Sequence, residues 1–579
     1  MGGDGSVRAV RRHGILAAAT AAILVLVPAC GSAEQSAAEQ SGTSAQSSTT
    51  GTGLPSTDDL PEAGPDEVHL FAFNDFHGNL EPPSGSTGRI GDVEAGGAAY
   101  LATHLKRLRE AYPNSAVIAG GDNVGASPLI SSLFADEPTI DFLNMQGVSA
   151  STVGNHEFDR GVLELERLQA GGCAPSGCEP GEPFTGAAFQ YLAANVTNDQ
   201  GQPPVGLQPW TMLEIDGRRI AVVGAVTTET PRIVFPEGIR GYTFGDEADA
   251  INRYVPDMRA AGAEAIVAYI HEGGAQEPSE GTTADPNSCD NLDGPIVGIN
   301  QRLDPAVTAV LSAHTHQFYA CTVDGRPLTQ AASYGRLITD LTLHFGSDGV
   351  QASAVNRAVT RTVAPDVETR QLIDFYAAEA APRASRPVGS IAVDLTRDEY
   401  PGGDTPLGNV IADAMLAATR APDPAEAVIA FMNPGGVRAD LTAGEVTFGD
   451  AYTVQPFGNQ IVTVSLTGTQ ILDLLEQQWQ DPQDVAILDV AGMTYRYDPA
   501  ADAGAKVDRA SVLVGGAPLN PVAVYPVATN NFLASGGDGF TVFTSGTDEV
   551  VGRPDLDVFE AYLQANPNLG DPGPRITAG

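Results

Sequence analysis

The sequence predicts an α/β protein: a layered domain, a linker helix and a second α/β domain. Three observations predict it. Residues 67–364 alternate short apolar runs with amphipathic stretches, residues 388–579 do so again without repeating the first half, and a single helical stretch separates the two. In the first half, residues 68–73, 116–119, 151–153, 220–226, 265–270 and 307–311 read as strands, the last with a helical alternative. Residues 98–112 and 248–261 read as helices. In such layered folds ligands gather at the carboxyl ends of strands. Residues 366–381 read as one helix, with Pro365 before it and Pro382 after it. Val367, Leu372, Phe375 and Tyr376 are spaced to share one face of that helix. Further on, residues 407–419 and 469–478 read as helices, and 427–432 and 461–466 as strands.

The amino terminus reads as an address. Arg8, Arg11 and Arg12 precede an apolar run at 15–27, a secretory signal too short for a comfortable membrane span. Val27-Pro28-Ala29-Cys30 resembles a bacterial lipobox, which would place a lipid on Cys30 and hold the protein at the outer face of the membrane. Cleavage near Ala29 and free secretion is the alternative. Residues 31–65, rich in Ser, Thr, Gln, Gly and Ala, read as a flexible tether. The expected division is therefore signal 1–30, tether 31–65, first domain 66–364, linker 365–387 and second domain 388–579.

Four further cysteines allow three pairings, of which Cys173 with Cys178 and Cys289 with Cys321 are expected. Their spacing lacks the paired CxxC units of a zinc cluster. The chain carries 31 Lys+Arg against 72 Asp+Glu, a net charge of −41. That excludes a protein that coats nucleic-acid polymers, which needs clustered cations. It leaves small phosphate esters open, because a metal ion or arginine can reverse the field inside one cleft.

The chemistry lies directly after the apolar runs. They are followed in turn by Asn74-Asp75-Phe76-His77, Gly120-Gly121-Asp122, Gly154-Asn155-His156-Glu157-Phe158-Asp159, His271-Glu272 and His314-Thr315-His316. Five of the nine histidines fall in these segments, too many for scattered placement. If the backbone is extended, Asp75 and His77 point the same way and grip one ion, as do His314 and His316. Asp, Asn and His together suit divalent Zn, Mn or Fe. Seven candidate ligands exceed the needs of one tetrahedral ion and suit two ions roughly 3.5–4 Å apart that share a carboxylate.

These motifs resemble the calcineurin-like metallophosphoesterases. Asn433-Pro-Gly-Gly-Val-Arg438, Gln455-Pro-Phe457-Gly-Asn459 and Asn531-Phe532-Leu-Ala-Ser-Gly-Gly-Asp538 resemble the carboxyl-terminal domain of secreted 5′-nucleotidases. The resemblance implies a first metal on Asp75, His77, Asp122 and His316, and a second on Asp122, Asn155, His271 and His314. It implies His156 and Asp159 as the catalytic dyad. Phe457 and Phe532 would sandwich a nucleobase, Asp538 would accept from ribose hydroxyls, and Asn433 and Arg438 would hold the nucleotide. One departure is visible. An arginine usual in the family just before the stretch at Thr405-Pro-Leu-Gly-Asn409 is replaced by Gly402-Gly403-Asp404, with Arg397 the nearest upstream.

The implied function is hydrolysis of nucleoside 5′-monophosphates to nucleoside and phosphate outside the cell. A 2′,3′-cyclic-nucleotide phosphodiesterase or nucleotide-sugar hydrolase with the same metals is the nearer alternative. A nucleotide-binding lipoprotein without activity is the more distant one.

Overall fold

The strand Glu67–Phe73 is apolar on both faces because both faces are covered. It lies inside a six-stranded sheet, antiparallel to Leu337–Gly346 and parallel to Ser115–Ala119, which is in turn parallel to Val148–Thr152. The structure is a computed structural model that describes residues 55, 57 and 60–579, apart from 84, 175–176, 179–182, 277–284, 420–425 and 481–484. The signal segment, Cys30 and the tether up to residue 54 lie outside the described residues.

A second six-stranded sheet carries Arg218–Val226, Ala265–His271 and Ala309–Ser312 as parallel neighbours. Val68, Leu70, Ala72 and Ile118 of the first sheet pack against Ile220, Val222, Val267 and Leu311 of the second. Helices cover the outer faces: Ala98–Ala111 and Glu137–Met145 on the first sheet, Glu247–Ala260 and Pro295–Arg302 on the second. The order is helix, sheet, sheet, helix. All the parallel strands named above end at one edge, and the polar motifs begin there.

The second domain is built on a five-stranded mixed sheet in which Ile429–Met432 and Val524–Asn530 pair in parallel. Pro406–Ala418 and Asp555–Ala565 pack on one face and Gly468–Glu476 on the other. Both expected disulfides are present, Cys173–Cys178 and Cys289–Cys321. Among the described residues, no helix is long and apolar enough to cross a membrane.

Three expectations need correction. The linker helix runs Val367–Ala384, through Pro382. A proline in the last turn removes only one bond, and Ser385 closes the end by donating from both N and Oγ to the Ala381 carbonyl. Its buried face is Thr369, Ile373, Tyr376 and Ala380, whereas Val367 and Phe375 are exposed. Ile373 and Tyr376 belong to the core of the first domain, and burying such side chains contributes roughly 1.5–3 kcal/mol each. The helix is thus docked on that domain. The tether is also shorter than expected. Pro55 accepts from Ala358 N at 2.9 Å, Thr57 Oγ1 meets His104 Nδ1 at 2.7 Å, and Pro61 accepts from Tyr112 at 3.0 Å.

Asp489 gives the second domain a pH-dependent stability. It holds Thr405, the N-cap of Pro406–Ala418, accepting from Thr405 N at 2.6 Å and Thr405 Oγ1 at 3.1 Å. Burial, with Asp404 adding, pushes it up to about 7 against the pull of Thr405 and Arg575. The folded state therefore holds a proton that the unfolded chain releases near pH 4, and stability falls as pH rises from about 4 to 7. Asp489→Asn keeps an oxygen for Thr405 and removes the charge. In unfolding measured from pH 4 to 8, it will flatten this fall and stabilise the protein at pH 8 by about 2–4 kcal/mol.

Candidate metal centre and its cavity

Asp122 sits where the motif loops meet. The loop after Glu67–Phe73 is laced to the loop after Ser115–Ala119 by Asp75 N to Gly121 O at 3.1 Å, His77 N to Asp122 O at 2.8 Å and Gly78 N to Asn123 O at 2.9 Å. The next loop closes over them at two glycines. A Cβ on Gly121 would lie 2.4 Å from Gly154 N, and one on Gly154 would lie 2.1 Å from Asp122 Oδ1. Asp122 Oδ1 accepts from His156 N at 2.8 Å. Asp122 Oδ2 faces His271 Nε2 at 3.1 Å and His77 Nε2 at 3.7 Å.

Six of the seven predicted ligands converge here. Donor atoms of Asp75, His77 and His316 lie within 4.8 Å of one another, and so do those of Asp122, His271 and His314. His77 Nε2 is 3.1 Å from His316 Nε2, and His316 Nε2 is 3.6 Å from Asp75 Oδ1. Asn155 is buried, and its Oδ1 has no hydrogen-bond partner. The reason the pairs converge differs from the extended geometry expected. Asp75, His77, Asp122, His314 and His316 all have left-handed backbone, with φ between 47° and 73°. Such strain in residues other than glycine concentrates at functional sites.

The imidazoles are oriented from behind. His271 Nδ1 lies 2.7 Å from the Gly120 carbonyl and His77 Nδ1 2.9 Å from that of Gly125, so each donates there and turns Nε2 into the cluster. Burial pushes His77 down to about 3 against the pull of Asp122, and it holds His314 and His316 below their ordinary value. Neutral imidazole is the ligating form. Burial alone would raise Asp122, but His271 and His156 outweigh it and hold the carboxyl well below the usual range. Burial opposes the charged form of His271, but Asp122 and Asp75 outweigh it and push it up to about 10, so a cation binding there displaces a proton. The oxygen and nitrogen donors of this set suit a divalent cation.

A cavity of about 420 Å³ adjoins the cluster. The first domain walls it with Asn155, His156, Asp159 and His314, and the second with Asn433, Arg438, Phe457, Phe532 and Asp538. His156 Nδ1 meets Asp159 Oδ2 at 2.7 Å, and the His156 ring stacks 5.9 Å from Phe457. Arg438 lies 5.9 Å from the Phe457 ring, and its charge presses down on His77, His156 and His316. Asn433 donates to Asp538 at 2.8 Å. Phe532 packs its ring over Gly537.

Residues 68–318 match the family model of the calcineurin-like phosphoesterases, and residues 387–545 that of the 5′-nucleotidase C-terminal domain. The chain is 31% identical over 508 residues to an endonuclease of Bacillus subtilis, covering 86% of this chain and 40% of that protein. It is 31% identical over 553 residues to a cell wall protein of Listeria monocytogenes, covering 89% of this chain and 69% of that one. The crystal structure of a 5′-nucleotidase precursor from Thermus thermophilus superposes with a TM-score of 0.74 at 26% identity, covering 88% of this chain and 99% of that one. The chain belongs to the 5′-nucleotidase family of calcineurin-like phosphoesterases, metal-dependent hydrolases of phosphoric esters.

Some site residues escaped the sequence. Glu157 is buried and accepts from Asp122 N at 2.7 Å, Asn123 N at 2.9 Å and Gly154 N at 2.6 Å, pinning two motif loops together. Its place inside the Asn155–Asp159 segment was the available signal. Tyr334 lies beside the rings of His77 and His316, 5.9 and 5.5 Å away, and no pattern announced it. Phe235 lines the cavity from a loop flanked by proline, also without a signal. The departure at Gly402–Asp404 is structural. Asp404 is fully buried and accepts from Asn409 Nδ2 and Arg575 N, both at 2.7 Å, while Arg397 pairs with Asp440 at 3.1 Å.

Manganese(II) at a free concentration 100 times its Kd will stabilise the folded chain by about 2.7 kcal/mol in a thermal melt. His271→Ala will lose most of that shift, because it removes the buried imidazole 3.1 Å from Asp122.

Proposed function

We propose that the chain is an exported enzyme that hydrolyses nucleoside 5′-monophosphates to nucleoside and phosphate with two divalent cations. One observation carries the reading: a single cavity joins the imidazole–carboxylate cluster to Arg438 and two phenylalanines. That is the layout needed to hold a phosphate at one end and a base at the other.

Asp75, His77, Asp122 and His316 would hold one ion, and Asp122, Asn155, His271 and His314 the other. When bound, such ions activate the attacking water and neutralise phosphoryl oxygens. The rest is the work of side chains. Burial opposes the charged form of His156, but the Asp159 and Asp122 carboxylates outweigh it and raise its affinity for a proton. His156 Nδ1 is committed to Asp159, which leaves Nε2 as the donor for charge that develops on the phosphate. Arg438 offers a fork of N–H donors to the same phosphate. Phe457 and Phe532 provide apolar faces for the base, and Asp538, steadied by Asn433, accepts from ribose hydroxyls.

The export signal and two disulfides fit an oxidising compartment outside the cytosol. A lipid on Cys30 would hold the enzyme at the outer face of the membrane, where it scavenges nucleosides and phosphate.

The test is phosphate release by the metal-loaded protein from AMP, 2′,3′-cyclic AMP and UDP-glucose, with a phosphomonoesterase added afterwards to reveal cleavage of the last two. AMP turnover is expected to be fastest. His156→Ala will lower kcat for AMP by about 10²–10³-fold while metal content is retained. Phe532→Ala will raise KM for AMP roughly tenfold, since base stacking contributes about 1–3 kcal/mol. No AMP turnover with metals bound would overturn the reading.

A further inference from the structure

Five of the nine histidines serve the motif loops, and two of the other four, His69 and His344, meet at Glu67. The place is the opposite end of the strand Glu67–Phe73, roughly 20 Å from the loop that carries Asp75. Glu67 and His69 project from one face of that strand, and His344 on Leu337–Gly346 lies directly across from Glu67.

His69 is held as a metal-binding imidazole is held. Its ring stacks on Tyr112 with centroids 3.9 Å apart, and Nδ1 lies 2.7 Å from Asp340 Oδ1. The other oxygen of Asp340 takes two N–H groups of Arg357, both at 2.9 Å, which fixes the carboxylate. In the neutral ring Nδ1 then donates to Asp340, and Nε2 turns its lone pair toward Glu67. That Nε2 is buried and has no hydrogen-bond partner.

Glu67 Oε2 lies 3.8 Å from Nε2, too far for a hydrogen bond. A water donating to both would hold them roughly 4.4 Å apart. Two donors on one zinc ion, each about 2.1 Å from it, stand roughly 3.4 Å or more apart. The Asp122 cluster shows the same spacing: His316 Nε2 to Asp75 Oδ1 is 3.6 Å, and His77 Nε2 to Asp122 Oδ2 is 3.7 Å. The second oxygen, Glu67 Oε1, is 3.1 Å from His344 Nδ1. The three donors do not all lie within 4.8 Å of one another, so His344, 44% exposed in its side chain, turns to complete the set.

We propose that His69, Glu67 and His344 bind a zinc ion that is separate from the Asp122 cluster and clips the first strand to Leu337–Gly346. Two imidazoles and a carboxylate suit zinc, which binds such a set more tightly than manganese does. The clip lies where the chain enters the domain. Glu67 Oε2 accepts from Gly64 N at 2.6 Å, and Tyr112, stacked on His69, donates to the Pro61 carbonyl at 3.0 Å. The ion stabilises the fold and takes no part in hydrolysis.

The experiment is the zinc content of the full chain after zinc loading and removal of free metal, read for the wild type, Glu67→Gln and His344→Ala. Both variants will hold one zinc ion fewer than the wild type and show a smaller zinc-induced rise in melting temperature. The rise induced by manganese, which reads the Asp122 cluster, will be the same in all three. Zinc-loaded crystals of the wild type, measured on either side of the zinc absorption edge, will show a peak roughly 2.0–2.2 Å from His69 Nε2 and from a Glu67 oxygen. Equal zinc content in the three proteins, or no peak between His69 and Glu67, would overturn the proposal. A peak on His344 without His69 would mark an adventitious surface ion and overturn it as well.

Discussion

Asp122 divides its carboxylate among three loops, and the architecture of the first domain follows from what that requires. One oxygen takes the His156 backbone, and the other faces His77 and His271 from different sheets. A buried carboxylate with imidazoles on two sides is costly unless cations or hydrogen bonds compensate it. Two sheets packed face to face bring the carboxyl ends of their parallel strands to one edge. That arrangement lets side chains distant in sequence share one anion.

The protein meets the local cost in the backbone. Five of the seven predicted ligands hold left-handed conformations, each costing on the order of 1–3 kcal/mol in a residue other than glycine. Such strain persists only where the surroundings over-determine it. Glu157 gathers three backbone N–H groups, carbonyls behind His77 and His271 fix their rings, and glycines at 121 and 154 let the loops touch. The second domain adds no atom to the predicted ligand set. It closes the cavity with aromatic faces and one arginine.

The centre was legible in the sequence because parallel strands read as apolar runs and ligands sit directly after them. Asp75, Asp122, Asn155, His271 and His314 each follow such a run by at most three residues. Local geometry was less legible. The i, i+2 spacing of Asp75 with His77 suggested extended chain, whereas inter-loop hydrogen bonds impose left-handed turns. In the linker helix, Val367 and Phe375 imitate an apolar face, but the partner surface selects Ile373 and Tyr376 instead. The end of the tether looked too polar to dock, yet single bonds from Pro55, Thr57 and Pro61 fasten it. Glu157 and Tyr334 depend on neighbours that no local pattern reveals.

The claim on which all of this turns is that Asp122 is shared by two cations. Crystals of the manganese-loaded protein, measured on either side of the manganese absorption edge, test it directly. Two anomalous peaks roughly 3.5–4 Å apart, both within bonding distance of the Asp122 carboxylate, are the predicted result. A single peak, or two peaks that do not share Asp122, would contradict it.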